Sequence, residues 1–228
     1  QVFLYLIISA AVIIFWIYFS VIALILFILM SIVHFGLCDW SYLGLKKYKW
    51  TVSLTHGLNI VFGIIFFHTN ETFEIFTFLS NLSFNQFQEY LYIVYICYFF
   101  LLIRYAYLAI KFTKLRWGIL EMSSSLLVIF LTEPLVAFSI YFCFIHTFKH
   151  VKSILKDTSK YLSNNKFITI TTISFTILTW VGGSLAIIYL HKSFSFDESF
   201  IKTLFIGLAA LTLPHMTLVD IFYRRKFN

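Results

Sequence analysis

The stretch "VFLYLIISAAVIIFWIYFSVIALILFILMSIV", residues 2–33, holds no Asp, Glu, Lys or Arg. An α-helix crosses the hydrocarbon core of a bilayer with about 20 consecutive apolar residues, and this run passes that length well before the first ionisable group, His34. The rest of the chain repeats the pattern. Of 228 residues, 61% are hydrophobic, 21% are aromatic and only 12% are charged, with a mean hydropathy of +0.90. Soluble domains carry about 25% charged residues. The values exclude a soluble core and predict an all-α, polytopic transmembrane helix bundle.

Polar punctuation divides the chain into about eight spans, near 2–17, 20–45, 50–67, 88–111, 116–132, 134–156, 167–190 and 200–223. Almost nothing joins the first two. Pro134 suits the first turn of its helix, where a missing N–H is harmless, whereas Pro214 lies inside the last span and should kink it. Residues 68–90 form the one long polar connection and are expected to contain an interfacial helix. No repeat or low-complexity linker interrupts residues 1–228, so a single integral-membrane domain is expected. The start lacks the basic region and cleavage site of a signal peptide. Because the sequence begins at Gln1, it is expected to be incomplete at its N-terminus.

Charge follows the same division. Lys46, Lys47 and Lys49, then Lys111, Lys114 and Arg116, then Lys152, Lys156, Lys160 and Lys166, and finally Arg224, Arg225 and Lys226 alternate with acidic or neutral connections carrying Glu71, Glu74, Glu89, Glu133, Asp197 and Glu198. This places the basic loops and the C-terminus on the cytoplasmic face of a cell membrane. The net charge of +7 therefore argues for membrane topology, not for nucleic acid. Cys38, Cys97 and Cys143 lack CxxC spacing and are expected to be small buried hydrophobes.

Ionisable residues inside a membrane span are costly, so each is a candidate for function. Counted from the nearest basic loop, His34, Asp39, His56, Glu121, His146 and His215 lie roughly 7 to 18 Å from the cytoplasmic ends of their helices. A shared polar layer is the economical explanation. His146 and His150, at i and i+4 in "FSIYFCFIHTFKHV" (138–151), face the same way and have a spacing that lets two imidazoles bind one metal. The competing reading makes His150, beside Lys149 and Lys152, an interfacial residue. His34 is either a hydrogen-bonded structural histidine or a further ligand. Asp39 and Glu121 either hold a ligand's second N–H or pair with Lys46 and Arg116. His215 either serves the carbonyl freed by Pro214 or lines the site with His56. His68 and His191 fall at the outer boundaries.

Three blocks in order, "HFGLCDW" (34–40), "EPLVAFSIYFCFIHTFKHV" (133–151) and "LTLPHMTLVD" (211–220), resemble signatures of the bacteriorhodopsin-related-protein-like (Brp/Blh) β-carotene 15,15′-dioxygenases. "IIFFHTNE" (64–71) and Glu121 fall in the same order. The resemblance implies cleavage of β-carotene at its central double bond with O₂, giving two all-trans-retinal. It implies Fe(II) held by His34, His146 and His150 in a bacterial or archaeal cell membrane. Membrane lipid is the medium, and a rhodopsin is the expected recipient of the product. The family's upstream PHG…D histidine has no counterpart before His34; either a preceding helix is missing, the favoured expectation, or another histidine substitutes.

Other readings leave different traces. A microbial rhodopsin would need a mid-membrane Lys in its last helices, where Lys202 sits near the outer end. A membrane desaturase would need more histidine boxes than seven histidines allow. A bis-His haem protein would be revealed by its absorption spectrum. A transporter would use the polar layer as an ion path and bind no metal.

Overall fold

The computed structural model describes residues 2–39, 46–80, 88–149, 151–152 and 165–218. All regular secondary structure among them is helical, in keeping with the all-α expectation. The helices are α1 (Val2–Tyr18), α2 (Ser20–Asp39), α3 (Lys49–Phe67), α4 (Thr69–Ser80), α5 (Gln88–Lys111) and α6 (Lys114–Leu131). They continue with α7 (Pro134–Lys149), α8 (Asn165–Leu190) and α9 (Phe196–Leu218). Pro134 opens α7 at its first turn, and α9 runs through Pro214. The expected helix in the 68–90 connection is α4.

Five helices are long and apolar enough to cross a membrane: α2, α3, α5, α8 and α9. The expected count of about eight is not reached by that measure. The helix α1 has 17 residues and is separated from α2 by Phe19 alone. Backbone hydrogen bonds continue across it, from Phe19 N–H to Phe15 O and from Ala23 N–H to Phe19 O, so no loop divides the two. Lys114, Arg116 and Glu121 interrupt the apolar surface of α6, and the described part of α7 ends at Lys149.

The chain divides into two compact units, one of residues 1–27, 75–82 and 159–228, the other of residues 28–74 and 83–158. In the first, α1 packs against α9, and Tyr5 donates its hydroxyl to Leu211 O at 2.7 Å. The last carbonyls of α4 have no partner within their own helix. Trp16 Nε1–H donates to Leu79 O at 3.2 Å and Ser20 Oγ–H to Ser80 O at 3.1 Å. From Ile173 onward α8 is almost wholly exposed, as an apolar helix facing lipid would be.

In the second unit α3 is the hub, packed against α5, α6 and α7. One apolar cluster joins Val52 to Tyr105, Leu108, Ala109, Leu115 and Met122, and another joins Phe35, Ile60, Ile64, Ile129, Ala137 and Tyr141. Two glycines bring α2 against α3 backbone to backbone. A Cβ on Gly36 would meet the carbonyl of Ser53, and one on Gly57 the carbonyl of Ile32. This reciprocal contact is the close approach that small residues permit between membrane helices.

The buried face of α3 also carries polar groups. Asn59 accepts the Tyr98 hydroxyl at 2.7 Å and donates Nδ2–H to Met122 O at 3.4 Å. Asn59→Leu strands both partners, and a buried hydroxyl or carbonyl left without its bond costs about 1–3 kcal/mol. Unfolding in detergent should show a loss of about 2 kcal/mol for this variant. His68, expected at a boundary, ends α3 and shares a 2.6 Å hydrogen bond with Ile129 O of α6. One sequence expectation is corrected: Cys97 and Cys143 are exposed and Cys38 is half-buried. An apolar cysteine on a membrane helix is equally at home against lipid.

Candidate metal centre

The end of α2 meets α7 at two histidines. His34 is 6% exposed and His146 5%, and their ring centroids lie 5.0 Å apart at 64°. Aromatic rings enclose them: Phe35 lies 4.9 Å from His146, and Phe142 stacks on it at 5.6 Å and 25°. Gly36, two residues after His34, sets the height of this part of α2 on α3 by its contact with Ser53. The same helix turn places Cys38 Sγ 3.5 Å from His34 Nδ1.

Asp39 closes α2 and is 1% exposed. A carboxylate buried so deeply is tolerated only with donors on its oxygens, and α7 supplies them. Asp39 Oδ1 lies 2.9 Å from His146 Nδ1, and Oδ2 accepts the Tyr141 hydroxyl at 2.5 Å. Lys149 Nζ–H reaches the Asp39 carbonyl oxygen at 3.5 Å and pairs with Glu121 of α6. The lysine thereby serves an end carbonyl of α2, where positive charge is favourable.

The segment of α7 from Tyr141 to His146 is a π-helical turn. Thr147 N–H donates to Phe142 O, five residues back, and Thr147 Oγ1–H donates to the same oxygen at 2.8 Å. Such turns recur at functional sites inside α-helices. The regular helix expected over 134–156 is interrupted here by the wider turn.

His34, Asp39, Glu121 and His146 thus fall in one chain of contacts. Glu121 pairs with Lys149, while Arg116 donates Nε–H to Ala109 O. His150 lies outside the described residues, as does the partner expected for Asp39 in the side chain of Lys46. His56 sits in a second polar cluster, 3.0 Å through Nε2 from the Tyr105 hydroxyl, which donates to Leu115 O. Gly118 leaves the space, since a Cβ there would meet the Tyr105 oxygen. His215, half-buried after Pro214, belongs to the other compact unit.

Among the described residues, no group of three or more His, Cys, Asp or Glu side chains is arranged to hold a metal. The donor chemistry nevertheless fits one. Two buried imidazoles are in ring contact, and one of them has Nδ1 on a carboxylate. Such a contact would hold the tautomer and orientation of a metal-binding histidine.

Two contributors escaped the sequence reading. Lys149 carries no role in the sequence beyond its place beside His150. Tyr141 was one of 14 tyrosines among 29 phenylalanines, and no spacing rule for an α-helix relates it to His146.

The family model "Beta-carotene 15,15'-dioxygenase" matches residues 1–223. A protein of uncultured marine bacterium 66A03 bearing that same name is 28% identical over 221 residues, which cover 97% of this chain and 79% of the relative. No solved structure matches. With histidines, carboxylates and aromatic enclosure gathered where the first two signature blocks fall, and a match along nearly the whole sequence, this chain belongs to the β-carotene 15,15′-dioxygenase family.

Proposed function

We propose that this chain cleaves β-carotene at its central 15,15′ double bond with O₂, giving two all-trans-retinal, on iron held by His34, His146 and His150. The C15=C15′ bond breaks, two C=O bonds form, and both atoms of O₂ end in the two aldehydes. The observation that carries this reading is the ring contact of His34 and His146 at 5.0 Å, buried in a bundle of apolar helices. Bound Fe(II) with imidazole ligands would supply the binding and activation of O₂.

The chain's own residues have three tasks. Asp39 keeps the proton of His146 on Nδ1. Phe35 and Phe142 cover the rings and exclude water. The helices fix which bond of the polyene reaches the histidines, since correct placement of reacting groups supplies much of a catalyst's advantage. A hydrocarbon substrate dissolved in lipid explains why the site lies among membrane helices. The reading extends to a multi-pass protein of a bacterial or archaeal cell membrane, its basic loops cytoplasmic and its product passed to a rhodopsin.

Expression in a β-carotene-producing cell is the direct test. Loss of orange colour with accumulation of retinal is expected, and unchanged carotenoid would overturn the proposal. In isolated membranes, an Fe(II) chelator should stop retinal formation and added Fe(II) should restore it. Cleavage that persists through chelation would remove iron from the reading.

A further inference from the structure

We infer that Tyr141 is a positioning residue for His146, acting through Asp39, and that the π-helical turn of α7 allows one carboxylate to hold both. The inference rests on the metal reading of His34 and His146.

The geometry begins with helix phase. At 100° per residue, side chains five apart on an α-helix point about 140° away from each other. Tyr141 and His146 are five apart, yet both reach the same carboxylate, at 2.5 Å and 2.9 Å. The i→i+5 hydrogen bonding of the π-turn removes the mismatch. Asp39 is thereby held at both oxygens, and its backbone carbonyl is held by Lys149 of the same helix. A carboxylate fixed at one oxygen can rotate; one fixed at both cannot.

Packing alone does not require the hydroxyl. Tyr141 lies with Phe35, Ile60, Ile64, Ile129 and Ala137 in an apolar cluster that a phenylalanine ring would fill as well. A buried hydroxyl is unfavourable unless bonded, and its partner here is Asp39 Oδ2. The hydroxyl therefore serves Asp39, and Asp39 serves His146. Groups that orient a metal-binding histidine from behind change metal affinity about 10- to 100-fold when removed.

The test uses the full chain, purified metal-free in detergent and titrated with Co(II), whose visible absorption reports imidazole ligation. Tyr141→Phe should weaken Co(II) binding about tenfold and Asp39→Asn about a hundredfold, across the range for such groups, with helix content unchanged. In the Asp39→Asn background, Tyr141→Phe should add no further loss, because its effect passes through the carboxylate. A purely structural role would lower thermal stability without this coupling. Wild-type affinity in Tyr141→Phe, or losses that simply add in the double variant, would overturn the inference and leave the metal reading standing. Absence of Co(II) binding by the wild type, or binding indifferent to His146→Ala, would overturn the metal reading and the inference with it.

Discussion

With His146 replaced by Ala, the chain is expected to hold no stoichiometric iron and to form no retinal above background from β-carotene. His34→Ala should do the same. The two rings touch at 5.0 Å, so each variant removes half of the described donor set, and no neighbouring His, Cys, Asp or Glu completes a group of three among the described residues. His146→Ala also deprives Asp39 Oδ1 of its partner at 2.9 Å, and an unsatisfied buried acceptor costs about 1–3 kcal/mol or more when charged. Helix content and unfolding in detergent should therefore accompany the metal analysis. His191→Ala is the control, since His191 is exposed beyond the end of α8, and it should retain iron and activity. Cleavage by His146→Ala at the wild-type rate would remove this histidine from the site.

The second large effect concerns the backbone. Gly57→Ala and Gly36→Ala are each expected to lower stability by about 3 kcal/mol, the upper part of the range for overpacking. In both, the added Cβ would run into a main-chain carbonyl, that of Ile32 or Ser53. Neither can move aside as a side-chain tip would. The helices must separate, and His34, two residues before Gly36, moves with α2. Activity should fall together with stability in unfolding assays in detergent. Gly182→Ala and Gly183→Ala offer the contrast, because nothing lies within 4 Å of either Cβ position. Those changes should be neutral or gain up to about 1 kcal/mol from helix propensity. Equal behaviour of all four variants would refute the close α2–α3 contact.

Much of this arrangement was legible in the residues. Apolar length located the helices, and counting from basic loops put His34, Asp39, His56, Glu121, His146 and His215 in one polar layer. The structure joins His34, Asp39, Glu121 and His146 in one chain of contacts, while His56 sits in a second cluster and His215 in the other compact unit. The sequence could not resolve what depends on helix phase. Tyr141 is on the wrong side of an ideal α-helix to meet the partner of His146, and only the π-turn reverses that. The number of crossings also exceeded what length and composition support; one division, between the first two spans where almost nothing joins them, is crossed by continuous hydrogen bonds at Phe19. Lys149 stood out in the sequence only as a neighbour of His150, yet it faces Glu121 and the end of α2.

The polar face of α3 bears on how the protein is made. Thr55, His56 and Asn59 are all almost completely buried, and the groups that accompany His56 and Asn59 come later in the chain. Tyr98 lies 39 residues after Asn59, Tyr105 lies 49 after His56, and Met122 lies 63 after Asn59. At 5–20 residues per second, synthesis leaves those groups waiting roughly 2 to 13 s for their partners. During that interval α3 is a poor guest for lipid. On the membrane reading proposed above, its stable entry into a bilayer would depend on the arrival of α5 and α6, so a ribosome stalled between Phe67 and Gln88 would leave α3 at the insertion machinery with its polar face uncovered.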